Sequence, residues 1–192
     1  MARERQFNKD VVLDKALLEF WRRGYEATSM QNLVDCTGLN RGSLYATYRD
    51  KRALFLASLE RYDSNRRSML ARLESMQNPR DAIRQVFMSF STDICMPGDN
   101  RGCFLTNTAL ELSAHDEEIR TFVAAAQADV QAFFQRMIKK GQANGLFSPK
   151  ISPNDAAAGL LASMLGYVVL VRSRPEPALL KSIVDDALRR IA

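Results

Sequence analysis

TSMQNLVDCTGLNRGSLYATYRDK, residues 28–51, is the stretch on which the reading of this chain turns. Thr28 or Ser29 caps a short helix that runs through Cys36, because a hydroxyl at that point accepts amide hydrogens the first turn leaves unmet. Gly38 makes a tight turn, and Asn40 caps a second short helix ending near Tyr48. Asp50 then caps a longer one. Two short helices joined by a glycine turn, with a helix before them as a brace, can hold a helix N-terminus against the major groove of DNA. Leu44 and Tyr48, four residues apart, face inward; Arg41, Ser43, Tyr45 and Thr47 face outward. An arginine and several hydroxyls are groups that reach base edges or phosphates.

Working outward, apolar residues recur at helical spacing almost everywhere, and no clean alternation bounded by hairpin turns interrupts them. The chain therefore reads as all-α, with about nine helices. Val12, Leu13, Ala16, Leu17 and Phe20 mark a first helix over 8–23, closed by Gly24. The fourth helix, about 50–76, links an N-terminal helix-turn-helix domain at 1–55 to a larger helical domain at 56–192. Asn78-Pro79 opens a fifth, whose stripe is Ile83, Val86, Phe87, Phe90 and Ile94 and which stops at 96–100. A sixth spans 104–112. A seventh starts with His115-Asp116-Glu117-Glu118 and closes at Asn144-Gly145. Ser152-Pro153 caps an eighth to about Ser173, and a ninth follows the Pro175/Pro177 pair.

Composition narrows the function. The 192 residues are 46% hydrophobic and 26% charged, as in an ordinary globular protein. Their net charge of +5 favours a polyanionic partner, and the excess lies early: residues 1–67 hold 13 Lys/Arg against 9 Asp/Glu, the remainder 14 against 13. Three cysteines without CxxC spacing argue against a disulfide framework or a structural zinc, and favour a reducing cytosol. The most apolar run, 159–171, is shorter than the ~20 residues of a membrane-spanning helix, and the N-terminus has no signal-like stretch. One histidine cannot supply the paired Glu-x-x-His ligands of a helical metalloenzyme, and no GxSxG, HExxH or phosphate loop is present. Neither an enzyme nor a cofactor is expected.

Residues 24–30, GYEATSM, with 37–45, TGLNRGSLY, then Tyr48, Lys51 and Leu54-Phe55, resemble the TetR family of transcription regulators over about residues 8–60. The resemblance implies that Ser29, Met30 and Gln31 touch backbone and some bases, and that Asn40, Arg41, Gly42 and Ser43 lie where that family approaches base edges. It places Tyr45, Thr47, Tyr48 and Lys51 at or beside phosphate-contacting positions, on a double-stranded operator. Gly42 gives up a side-chain contact and about 1 kcal/mol of helix propensity against Ala, and in return lets the helix lie close to the groove. Tyr48, Leu44, Val34 and Phe55 also serve as packing residues.

The resemblance further implies a C-terminal domain that binds a small effector and pairs with a second copy. Phe87, Phe90, Cys103, Phe104, Phe122, Met164 and Tyr167 are the candidate pocket, although such a stripe also makes an ordinary core. The eighth helix is apolar nearly all round and carries Ala156, Ala157, Ala158, Gly159, Ala162 and Gly166; burial on a second side predicts a homodimer through the last two helices. Arg101-Gly102-Cys103-Phe104-Leu105, with Asn107 and Glu111, resembles the branch that includes the N-ethylmaleimide reductase repressor. It implies a thiol-based redox, electrophile or metal sensor at Cys103, against the simpler role of a small buried hydrophobe. Cys95 lies near enough in sequence to meet Cys103 across the 96–102 loop. A DNA-bound factor that recruits proteins and takes no small-molecule effector is the remaining alternative.

Overall fold

The computed structural model describes residues 7–91 and 101–192, and among them the only regular elements are nine α-helices. They are α1 (Lys9–Arg23), α2 (Met30–Thr37), α3 (Arg41–Tyr48), α4 (Lys51–Glu74), α5 (Pro79–Met88), α6 (Phe104–Leu112), α7 (Glu117–Ala143), α8 (Pro153–Ser173) and α9 (Pro177–Arg189). The chain forms two compact units that divide within α4, the first closing at Asn65 and the second opening at Arg66.

In the first unit each start and stop is written locally. Asn8 accepts from the amides of Asp10 and Val11, and Gly24, at φ 86°, ends α1. Ser29 and Asn32 form a reciprocal capping box on α2. Gly38 turns the chain in the left-handed conformation at φ 75°, where L side chains are penalised. Val12, Ala16, Leu17 and Phe20 of α1, Leu33 of α2, Leu44 of α3 and Leu54, Phe55 and Leu59 of α4 are buried together. Phe55 holds that core: its ring meets Phe20 edge-on at 5.1 Å and Tyr25 at 4.8 Å. Arg61 of α4 grips Asp14 of α1 with two hydrogen bonds, at 3.0 and 3.2 Å.

The second unit is built around α7, which packs on α5, α6 and α8, while α9 covers α5 and α8. Phe133, Phe134, Met137 and Ile138 of α7 meet Ile83, Val86 and Phe87 of α5 and Leu160, Met164, Tyr167 and Val168 of α8 in a core almost fully closed to solvent. Gly141 is required by packing, since a Cβ there would fall 2.0 Å from the Phe147 ring. Arg136 chelates Glu74, and Lys140 donates to the carbonyls of Glu74 and Met76, so charged groups fasten the end of α4 to α7.

Three expectations need correction. The fifth helix ends at Met88: Phe90 lies in a turn closed by its amide on the Phe87 carbonyl, and Ser89 spends its hydroxyl on Val86, so Phe90 drops off the stripe half-buried. Ile94, Cys95 and the 96–100 stop lie outside the described residues. His115 precedes α7, for it is Asp116 that caps the helix by accepting from Ile119. Finally α8 is longer than its most apolar run; at 21 residues it is long and apolar enough, by length and composition alone, to cross a membrane. Its packing against α7 and α9 makes it a core helix of the second unit. Only 33% of its most apolar window is buried in this chain.

Candidate nucleic-acid interface

Helix α3 is two turns long, and Leu44 is its one fully buried residue. That single anchor leaves the remaining faces for other uses. Asn40 sets the N-terminus by accepting from the Ser43 amide at 2.8 Å. Arg41 and Gly42 are exposed at the first turn, and Ser43 is half-buried. A Cβ at Gly42 would touch only the Asn40 side-chain oxygen, at 3.4 Å, so nothing inside the protein demands glycine there. Tyr45 is 41% exposed on the same helix.

Other candidates are already engaged. The Thr47 hydroxyl donates to the Ser43 carbonyl at 2.8 Å, so its only proton is in use. Tyr48 is half-buried and donates to the Lys9 carbonyl at 3.4 Å, tying α3 to α1; burial and nearby Asp10 push its phenol pKa up. On α2, the Ser29 hydroxyl is held in the capping box, Met30 is half-buried, and Gln31 is exposed but bonded to Asp35 at 2.8 Å. Lys51 opens α4 with its ammonium 4.3 Å from the centre of the Tyr25 ring. A cation is unfavourable at a helix N-terminus, and the ring face offsets part of that penalty.

One residue of this surface has no sequence signal. Arg49, between α3 and α4, has φ 66° and ψ −55°, the only positive φ outside glycine among the described residues. An arginine gives no hint of such a backbone, whereas glycine or asparagine would have.

The candidate pocket residues take two kinds of place. Phe87, Cys103, Phe104, Met164 and Tyr167 are buried, and Phe90 and Phe122 are half-buried. Phe87 stacks on Phe134 at 6.2 Å and meets Tyr167 edge-on at 5.6 Å. Burial raises the Tyr167 pKa, opposed by a hydrogen bond with Ser91. Phe133 and Phe134 of α7 belong to the same cluster, with their rings 5.8 Å apart. Cys103 stands at the N-cap of α6, 6% exposed, and makes no side-chain cap. Cys36 packs in the first unit, where burial and Glu19 push its thiol pKa up and leave it a poor nucleophile. No cluster of three metal-ligating side chains occurs among the described residues.

A braced pair of short helices, with an exposed arginine, glycine and tyrosine on the second, defines a helix-turn-helix DNA-binding protein. The chain belongs to the TetR family: residues 12–58 match the family model described as bacterial regulatory proteins, tetR family, and residues 79–185 match tetracyclin repressor-like, C-terminal domain. It is a DNA-binding transcription regulator and not an enzyme. Among curated proteins it is 33% identical to the uncharacterized HTH-type transcriptional regulator YezE of Bacillus subtilis, over 76% of this chain and 77% of that one. It is 28% identical to the HTH-type transcriptional repressor ComR of Escherichia coli, over 97% and 90%. The HTH-type transcriptional repressor NemR of Escherichia coli is 25% identical over 76% and 74%. Among solved structures, a cysteine mutant of the TetR family regulator CifR, complexed with 26bp double-strand operator DNA, aligns with a TM-score of 0.81 and 26% identity over 97% and 98% of the two chains.

Proposed function

We propose that this protein is a homodimeric repressor that holds a palindromic operator and leaves it when a small apolar effector enters the second unit. The observation that carries the reading is the surface of α3, where Arg41, Gly42 and Tyr45 are exposed on a helix anchored to the fold by Leu44 and Tyr48. Arg41 reads bases, Gly42 permits close approach, and Tyr45 and Lys51 hold phosphates.

The α8 surface supports pairing with a second copy. Its apolar window is two-thirds unburied, Val169 is exposed, and Gly159 and Gly166 have open space where a Cβ would stand. An open groove of about 560 Å³ lies along α8 and α9, lined by Gly166, Leu170 and Ile183 and flanked by Asp186, Arg189 and Arg190. A two-fold pair would carry two reading helices, and reading heads about 34 to 36 Å apart select an inverted repeat. The aromatic cluster of Phe87 and Tyr167 is closely packed, so an effector there must separate the rings and thereby favour a different population of conformers. Burial of Cys103 favours an apolar effector over direct reaction at the thiol.

Sequencing genomic fragments retained by the purified protein should return an inverted repeat, and sedimentation should give twice the chain mass. Tyr45→Ala and Lys51→Ala should weaken binding to every duplex, and Arg41→Ala should change the preferred sequence. Unaltered affinity and preference in all three variants would refute the reading. Thermal-shift screening of apolar compounds and electrophiles distinguishes an effector-responsive regulator from one that only recruits proteins.

A further inference from the structure

We infer that Arg49 is a further phosphate-gripping residue of the DNA interface, held clear of α3 by a strained turn that serves the side chain and not the fold. The inference rests on the DNA-binding reading above. At Arg49 the chain makes a γ-turn: the Asp50 amide donates to the Tyr48 carbonyl at 2.7 Å, across a residue with φ 66° and ψ −55°. This version of the γ-turn is rare and strained, and a side chain with a Cβ is costly there. Glycine would adopt it without penalty.

Arg49 is exposed, and among the described residues its guanidinium has no hydrogen bond or ion pair. Both local amides are already satisfied, Arg49 on the Tyr45 carbonyl at 2.8 Å and Asp50 on Tyr48, so the backbone here is not waiting for a ligand. What is left over is the guanidinium. Continuing α3 would have carried position 49 round the helix surface; positive φ takes it off that course, two residues before Lys51 and four after Tyr45. Strain kept for an outward cation beside two phosphate-contacting candidates points to a phosphate of the duplex, whose geometry a guanidinium fork matches. The contact carries no base information, so it acts on all sequences alike.

The test sets stability against binding. Arg49→Gly relieves the turn, so its Tm should equal or exceed that of the parent protein. Its affinity for the duplex recovered by fragment selection should fall at least about tenfold at low salt, with the slope of log affinity against log salt shallower by about 1.8, about 0.9 for the Arg49 of each copy in the dimer. A non-cognate duplex of equal length should show the same loss. Arg49→Lys keeps the cation and should recover most of the affinity and the slope. Should Arg49→Gly leave affinity and slope unchanged while Tyr45→Ala weakens binding, the Arg49 proposal fails and the DNA-binding reading stands. Should neither variant alter binding, both fail. A fall in affinity without a change in slope also overturns the proposal, because it would mean the turn only positions α3.

Discussion

The two units put their candidate residues in opposite places. In the first, Arg41, Gly42 and Tyr45 are exposed, and their positions follow from caps made within three residues: Ser29 with Asn32, Asn40 with Ser43, Asp50 with Ala53. In the second, Phe87, Phe104, Met164 and Tyr167 are buried, and Phe87 and Tyr167 are positioned against each other across a long separation in sequence. A side chain that the fold does not use can be changed without unfolding the protein. A side chain that is both candidate site and core cannot. Recognition and stability are therefore separable in the first unit and joined in the second.

The largest effect expected from that contrast is at Phe87. Its ring is fully buried, and Phe87→Ala should cost about 3–5 kcal/mol, a fall in Tm of about 10 °C or more by thermal melting. A fall of only a few degrees would mean that the cluster is loosely packed and that effector binding need not compete with the core. Next comes Arg41→Ala. Tm should hold, because the side chain is exposed, while discrimination between the preferred sequence and its single-base variants drops by about 1–3 kcal/mol at one position, read by competition binding. A drop in Tm with no loss of discrimination would break the separation claimed for the first unit.

Asn40→Ala sharpens the comparison by touching function through a local cap. Loss of the 2.8 Å bond to the Ser43 amide should cost about 1 kcal/mol in urea unfolding and weaken DNA binding as the first turn of α3 frays. The smallest effect is expected at Glu74. The Arg136 guanidinium holds its carboxyl below the usual range, so the folded state favours the charged form. That stability is present above the unfolded pKa and disappears as pH falls through the depressed value in the folded state. Both partners are partly exposed, so Glu74→Gln should cost under about 1 kcal/mol at neutral pH, and the difference in Tm should vanish in acid. A difference that persists in acid would assign the loss to packing and not to charge.

Legibility followed the same division. The first unit was readable almost residue by residue, since Ser29, Gly38, Asn40 and Asp50 are punctuation whose partners lie a turn away. Lys51 was placed correctly at the start of α4, but its ring partner Tyr25 comes from the segment between α1 and α2 and could not be counted from spacing. Thr47 looked outward from its position, yet its hydroxyl had turned back to the helix. In the second unit the stripe of α5 ran past the true end at Met88, because periodicity registers an apolar residue and not whether the chain is still helical beneath it.

Sequence alone determined the number of helices among the described residues, most of their caps, and the exposure of Arg41 and Tyr45 on α3, because each depends on hydrogen bonds and periodicities closed within a few residues. Only the tertiary structure decided which aromatic rings meet, where α5 stops, and that the chain bends through a strained turn at Arg49. These depend on groups brought together from distant positions, or on a backbone angle that an arginine side chain does not announce.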